Sequence, residues 1–227
     1  MKAVRRTGAA RLLASGAAAL LLGLAGAGCG SSSRASQEGL RLQREDLVAS
    51  AAALLRAEPG VRAETAATRA AWPLVANGLP SALAPGEWAK IAAAAQAASA
   101  LKTPALFDEL HAAELTGPAA SVAGTFSSFA GLSYRGWQML AYALTAGAGG
   151  PNARFARANA ALYIESVYDG HFGLSQIGKK LIAGWKKLGG TGAFRSSLPR
   201  SEVERLAGAY SERELRLHPH DGVKFGS

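Results

Sequence analysis

The clearest folding signal in the sequence is residues 174–188, LSQIGKKLIAGWKKL. Its large apolar residues recur at steps of three and four, at Leu174, Ile177, Leu181, Trp185 and Leu188. The four lysines of the segment fall away from that stripe, so the pattern predicts an amphipathic helix with one buried face. A pair of glycines follows the last apolar residue and predicts the end of the helix.

The composition extends this helical prediction to the whole chain. The 227 residues include 51 Ala, the best helix former, but only 20 Val, Ile and Thr together, so a β-sheet fold is disfavoured. Similar stripes predict helices over about 40–57, 61–76, 85–101, 119–130, 134–147, 152–169 and 201–210, and a short helix after Thr103-Pro104. We therefore predict a single compact all-α domain of about seven or eight helices over residues 38–215, with a C-terminal tail over 216–227.

Four local signals set the predicted helix boundaries. Glu58-Pro59-Gly60 predicts the end of the first helix, because proline lacks the amide that continues the hydrogen-bond ladder. Gly131 predicts a junction between two helices, with Ser133 as the N-cap of the second. Gly170 predicts a C-terminal cap, and Ser201 with Glu204 predicts a capping box.

The N-terminus has the pattern of an export signal. Its basic residues are Lys2, Arg5, Arg6 and Arg11, and the seventeen residues of 12–28 carry no charge. This order predicts a cleaved signal peptide over residues 1–28. Cys29, the only cysteine, follows directly, and the Ser/Gly-rich residues 29–37 predict a flexible tether.

The same segment resembles a bacterial lipoprotein signal, which ends in a lipobox of small residues before a cysteine. Ala27, Gly28 and Cys29 match that pattern, while Gly26 stands where leucine is usual. The resemblance implies that the Cys29 thiol carries a diacylglyceryl group and becomes the mature N-terminus. It implies an exported protein, anchored through membrane lipid to the outer side of the cytoplasmic membrane or within the cell envelope. An ordinary cleaved signal beside an unrelated cysteine is the alternative.

The charge distribution bears on possible partners. Removing residues 1–28 removes four cations and no anions, which lowers the formal net charge from +9 to +5. Residues 30–149 are balanced, with nine cations and nine anions, whereas residues 150–227 hold twelve cations and seven anions. For an exported protein this excess favours anionic lipid or an anionic wall polymer over nucleic acid, and a merely solvated basic surface is the alternative. The pattern indicates no oligomeric state.

The predicted helix over 152–169 carries a polar stripe. Phe155 and Leu162 mark the centre of one face, and a helical projection places polar residues beside them. We expect this helix to be central, with the stripe directed into packed surroundings. The candidate ligand-binding residues are Asn159, Glu165, Ser166, Asp169 and the following His171. Two carboxylates four residues apart can share a proton or bind a cation, although interhelical hydrogen bonding is a structural alternative.

Three short strings resemble lytic transglycosylases, which cleave envelope glycans. They are Glu165-Ser166, Gly173-Leu174-Ser175-Gln176-Ile177 and Ala209-Tyr210-Ser211, in the order that this family uses. The resemblance implies that Glu165 is a general acid that protonates the glycosidic oxygen. The spacing between the first two strings is shorter than in the family, and the third string lacks the family's asparagine.

The histidines offer a third possibility. His218 and His220 flank a proline, and together with His171 they could bind Zn²⁺ or Cu²⁺, although an inert tail is the alternative. We predict no cofactor and commit no residue to catalysis or to a metal. The leading hypothesis is a membrane-anchored, non-catalytic helical binding or scaffold module of the envelope. A glycan-cleaving enzyme that uses Glu165 and a metal-binding lipoprotein are the alternatives.

Overall fold

The part of the chain that the structure describes is mostly α-helical. The computed structural model describes residues 31–102, 115–145, 150–189 and 192–217, with side chains from residue 36 onward. The helices are α1 (Ser31–Ala71), α2 (Pro85–Ala100), α3 (Gly117–Leu144), α4 (Pro151–Ala158), α5 (Ala160–Leu174), α6 (Ile177–Leu188), α7 (Gly192–Ser197), α8 (Arg200–Ala209) and α9 (Glu212–Leu215), with a 3₁₀ turn at Trp72–Leu74. Seven of these α-helices have eight or more residues and no strand occurs within the described ranges, which confirms the all-α prediction.

Two long helices, α1 and α3, join the two apolar clusters of the domain. The first cluster packs the early parts of both helices against α6 to α9, around Leu54, Phe126 and Leu181. The second cluster packs their later parts against α2 and α5, around Trp72 and Trp137. Because each long helix contributes to both clusters, the two form one domain.

The first helix continues through Pro59, so its predicted end at Glu58-Pro59-Gly60 is wrong. Leu54, Ala57 and Val61 continue one buried stripe on both sides of the proline. The proline removes one backbone hydrogen bond, but Leu55 and Pro59 are exposed, so water can reach the free carbonyl. The helix also begins at Ser31, inside the segment predicted as a tether, and absorbs most of the helix predicted over 61–76.

The third helix likewise runs through Gly131, where a junction was predicted. Its buried residues Phe126, Ala130, Trp137 and Leu140 keep helical spacing across that position. A glycine within a helix costs about 1 kcal/mol relative to alanine and does not by itself end it. Ser133 is therefore a buried residue within the helix, not an N-cap.

Helices α3 and α5 pack antiparallel and unusually close. A Cβ atom on Gly136 would lie 2.6 Å from Val167 Cγ2 and 2.8 Å from the Tyr163 carbonyl oxygen. A Cβ atom on Gly170 would lie 2.8 Å from the Ser133 amide nitrogen. Only glycine fits at these contacts. Because α5 continues to Leu174, Gly170 lies inside the helix and does not cap it as predicted.

The remaining predicted boundaries have mixed outcomes. The helix that starts at Pro85 and the amphipathic helix α6 are confirmed. The helix predicted over 152–169 is interrupted at Asn159 and extends to Leu174. Helix α8 is N-capped by Pro199, not by the predicted Ser201 capping box, because Glu204 bonds Arg200 instead. Leu217, predicted to lie in the tail, is buried, so the packed region reaches at least that residue.

Several predictions fall on residues outside the described ranges. They are the signal peptide over 1–28, Cys29, the short helix after Thr103-Pro104 and the histidines at 218 and 220. Among the helices that the structure does describe, none is both long enough and apolar enough to cross a membrane.

Candidate functional site

The most unusual chemical feature of the interior is a buried carboxylate, Glu64 of α1. Its side chain has no solvent exposure. Its Oε1 atom accepts hydrogen bonds from His171 Nε2 at 3.0 Å, Ser133 Oγ at 2.6 Å and Thr68 Oγ1 at 3.0 Å. We call these four residues the Glu64 centre. It joins α1, α3 and α5 at one point.

His171 faces a hydrogen-bond acceptor at each ring nitrogen. Its Nδ1 lies 3.1 Å from the carbonyl oxygen of Leu215, and its Nε2 lies against Glu64. A carbonyl can only accept, so Nδ1 carries a proton, and an ionised Glu64 requires a proton on Nε2 as well. The ring therefore donates from both nitrogens when Glu64 is ionised, and it is only 1% exposed.

The pKa of Glu64 lies below its usual value despite complete burial. Desolvation alone raises this pKa, because it penalises the charged form. The charge of His171 and the hydrogen bonds from His171, Ser133 and Thr68 lower it by more. The carboxylate therefore stays ionised at neutral pH, and the Glu64 centre contains a buried ion pair.

The close approach of α3 and α5 positions this ion pair. Gly170 lets the backbone of α3 at Ser133 approach α5 beside His171, and both Ser133 and His171 bond Glu64. Trp137 Nε1 donates to Thr68 Oγ1 at 2.8 Å, which orients that hydroxyl toward the carboxylate. The glycines of the interface thus bring the helices that carry Ser133 and His171 close together.

The C-terminal segment covers the Glu64 centre. Arg69 Nη2 donates to the carbonyl oxygens of Glu214 at 2.8 Å and Arg216 at 3.0 Å, which holds α9 against α1. Leu215 and Leu217 are each 1% exposed. Because every member of the centre is buried, it cannot meet a substrate in this conformation, and its chemistry is that of a structural ion pair.

The structure places His171 apart from the other four residues predicted as a polar ligand site. Glu165 and Asp169 are exposed on the outer side of α5, whereas His171 belongs to the interior. Ser166 Oγ donates to the Leu162 carbonyl and Asn159 Nδ2 to the Phe155 carbonyl, both at 2.8 Å and both within the same helical stretch. Neither residue bridges to another helix through these bonds.

The predicted burial of the Phe155–Leu162 face is also wrong. Phe155 is 59% exposed and Leu162 is 55% exposed. The buried face of α5 contains Val167, Gly170 and Gly173 instead. The large apolar residues suggested the wrong face, because the close contact with α3 is made through glycine, which adds no hydrophobic signal.

Sequence reasoning missed Glu64, although a signal for it was present. Val61, Glu64, Thr68 and Ala71 recur at steps of three and four and continue the apolar stripe of α1. A carboxylate on the buried face of a helix must be paired or hydrogen-bonded, so its position alone indicated a buried partner. The premature helix end at Pro59 obscured this stripe.

The three strings that resemble lytic transglycosylases differ in solvent exposure. Glu165 is exposed, but Gly173, Leu174 and Ser175 are buried. Tyr210 is 1% exposed in the first apolar cluster, where its hydroxyl donates to the Leu54 carbonyl oxygen at 2.8 Å. Of the second and third strings, only Gln176 and Ser211 are partly exposed, and the other residues are buried.

Of the three histidines proposed to bind a metal, the structure describes only His171. Both ring nitrogens of His171 already bind protein acceptors, while His218 and His220 lie outside the described residues. Within the described ranges, no three His, Cys, Asp or Glu side chains are grouped so that they could hold a metal ion.

A groove of about 410 Å³ lies between α1 and α7. Its walls include Val48, Phe194 and Arg44, whose Nε donates to the Leu188 carbonyl oxygen at 2.9 Å. The Arg44 guanidinium carbon lies 5.8 Å from the centre of the Phe194 ring. The volume of the groove falls in the range of small-molecule sites. The Arg44 guanidinium, however, already binds the Leu188 carbonyl oxygen and the Phe194 ring.

Comparison with known proteins returns no relative. No family model matches the chain, and no curated protein or solved structure matches it either.

Proposed function

We propose that the protein is a lipid-anchored, non-catalytic helical module of the bacterial cell envelope. The observation that carries the proposal is the position of Cys29, two residues before the start of α1. A diacylglyceryl group on that thiol connects the membrane directly to the longest helix of the domain.

The start of α1 suits a spacer between membrane and domain. From residue 36 onward, where side chains are described, the first buried residue is Leu47. Residues 31–46 of the helix would span about 24 Å at 1.5 Å per residue. In the proposed arrangement the packed body is therefore held away from the lipid surface, where it is accessible to partners in the envelope.

The chemistry of the described residues favours a non-catalytic role. The buried ion pair of the Glu64 centre is closed to solvent. Glu165, the candidate general acid, is exposed, whereas most residues of the other two strings that resemble the glycan-cleaving family are buried. A scaffold or binding module needs neither an activated acid nor an open cleft, so it accounts best for these positions.

The basic surface of α6 supports a partner with negative charge. Lys179, Lys180, Lys186 and Lys187 are all exposed. Lys179 pairs with Glu212 at 2.8 Å, and Lys180 donates to Thr125. We infer that Lys186 and Lys187, at the C-terminal end of α6, face an anionic polymer or anionic lipid of the envelope.

Co-sedimentation with isolated cell walls tests this electrostatic contact. Binding of the detergent-solubilised protein is expected to fall as salt rises from about 0.1 M to about 1 M, because the Debye length shortens from about 10 Å to about 3 Å. The variant K186Q/K187Q should bind more weakly, whereas K186R/K187R, which keeps both charges, should bind like the parent. Vesicles of anionic and zwitterionic phospholipid distinguish lipid from polymer. Binding that ignores both salt and K186Q/K187Q contradicts the inference.

Metabolic labelling with an alkyne fatty acid tests the anchor. The wild-type protein, expressed in a bacterium that processes lipoproteins, is expected to incorporate the label and to remain with membranes after a high-salt wash. Because the only cysteine is at position 29, Cys29→Ala should abolish labelling. Ser31→Ala, two residues away, is the matched control and should label normally. An unlabelled wild type, or equal labelling of Cys29→Ala, contradicts the proposal.

A further inference from the structure

Helices α4 and α5 expose an apolar surface that the domain does not cover. Three of the large exposed apolar residues of the described chain lie on this short stretch: Phe155 at 59%, Leu162 at 55% and Phe172 at 48% exposure. Single exposed apolar residues are common, but a group of them with polar flanks is typical of an interaction surface.

Phe155 and Leu162 share one side of the helix pair. The Asn159 amide donates to the Phe155 carbonyl at 3.1 Å, and the Tyr163 amide donates to the Asn159 carbonyl at 3.4 Å. Hydrogen bonds of helical spacing therefore bridge the interruption between α4 and α5. The seven-residue step from Phe155 to Leu162 is close to two helical turns, which keeps both on the same side.

Charged residues are ordered along this surface. The exposed Arg154 lies at its beginning, and the exposed carboxylates Glu165 and Asp169 lie toward its end. Ala158 and Ala161, both exposed and small, lie between them. We call the exposed residues Arg154, Phe155, Leu162, Glu165, Asp169 and Phe172 the outer face.

This order is self-complementary in an antiparallel pairing. Arg154 lies eight residues before Leu162 and Asp169 lies seven residues after it, or about 12 Å and about 10 Å along a helix. A two-fold axis beside Leu162 would therefore place each Arg154 opposite the Asp169 of the other copy. The small side chains of Ala158 and Ala161 would let the helices approach near the axis.

We propose that the outer face binds the outer face of a second copy of this chain, so that the protein forms an antiparallel, isologous dimer. Leu162 becomes covered at the axis, and each Arg154–Asp169 contact occurs twice because of the symmetry. Attachment to a membrane would favour the pairing by raising the local concentration, but the geometry does not depend on it.

Charge argues against lipid as the occupant of this surface. Anionic phospholipid would repel Glu165 and Asp169, and burying their carboxylates among acyl chains would be costly. A second copy instead supplies an arginine at the required distance.

Disulfide trapping of the full chain tests contact at the axis. Under mild oxidation, Leu162→Cys is expected to yield a covalent dimer, because the two copies of this residue lie beside the axis. Leu55→Cys, at a residue 41% exposed on α1, is the matched control and should give only the background of the wild-type chain with Cys29. Trapping of Leu162→Cys no greater than that of Leu55→Cys overturns the proposal.

A charge exchange tests the orientation. In the Leu162→Cys background, Arg154→Asp or Asp169→Arg alone should reduce trapping about tenfold, because each places like charges opposite each other at two symmetric positions. The double variant Arg154→Asp/Asp169→Arg should restore trapping. Thermal unfolding by circular dichroism checks that all variants remain folded. Reduced trapping without rescue in the double variant, as a different protein partner would give, overturns the antiparallel dimer, as does trapping that ignores all three changes.

Discussion

Replacing His171 with alanine is expected to lower the free energy of unfolding by about 3–5 kcal/mol, the range observed when one member of a buried ion pair is removed. The substitution leaves the Glu64 carboxylate without its cationic partner at a position of zero exposure. It also frees the Leu215 carbonyl oxygen, which weakens the attachment of the C-terminal segment. Urea unfolding followed by circular dichroism measures the change.

Glu165→Ala is the matched control for this experiment, since it removes a charged side chain from the exposed side of the same helix. Its effect should stay within about 0.5 kcal/mol. The double variant Glu64→Gln/His171→Ala should lose less than the sum of the two single variants, because no unpaired buried charge remains. A loss for His171→Ala as small as that for Glu165→Ala contradicts the ion pair.

The same pair gives stability a defined pH dependence. The folded pKa of Glu64 is depressed below its unfolded value, so its contribution is fully present above the unfolded pKa of about 4.3 and is lost as pH falls toward the folded pKa. The pKa values of Glu58 and Glu212 are also lowered by cationic partners, so acid weakens several contacts at once. The difference between wild type and Glu64→Gln isolates the buried group, and that difference should shrink between pH 5 and pH 3. A pH-independent difference contradicts the assignment.

Gly170→Ala should destabilise the fold by about 3 kcal/mol, the upper part of the usual range for overpacked interiors. The added methyl would lie 2.8 Å from the Ser133 amide nitrogen and 2.9 Å from the Phe129 carbonyl oxygen. Both are backbone atoms, which no side-chain rotation can move, so α3 and α5 must separate. The separation also moves Ser133 and His171 apart, and both of these residues bond Glu64.

Gly131→Ala, in α3, provides the control of opposite sign. A methyl there meets no atom within 4 Å, and alanine is the better helix former by about 1 kcal/mol. This variant should therefore be slightly more stable than wild type, whereas Gly170→Ala should be much less stable. Thermal unfolding of both variants measures this difference as a difference in melting temperature. Similar melting temperatures for the two variants would contradict the close packing of α3 and α5.

Hydrophobic periodicity predicted much of the secondary structure but misplaced several boundaries. It found α2 and α6 because their apolar stripes are regular and their ends carry clear proline or glycine signals. It wrongly ended α1 at Pro59, because a proline signal depends on the local sequence alone. The buried stripe resumes at Val61, and its tertiary packing stabilises the helix across the proline.

The Glu64 centre was beyond local sequence reasoning for a different reason. Glu64 and His171 are 107 residues apart, and nothing local indicates that the two meet. Their contact joins α1 to α5, and α5 is held against α3 through Gly136 and Gly170, although glycine contributes nothing to a hydrophobic pattern. The same property explains why the face marked by Phe155 was expected in the core and is exposed instead.

The proposed role depends on one covalent bond, at Cys29. The most direct measurement is the mass and fragmentation of the N-terminal peptide of the protein purified from bacterial membranes. The expected peptide begins at residue 29 and carries a diacylglyceryl group on the cysteine sulfur. A peptide with a free Cys29 thiol, still joined to residues 1–28, would contradict the proposed role.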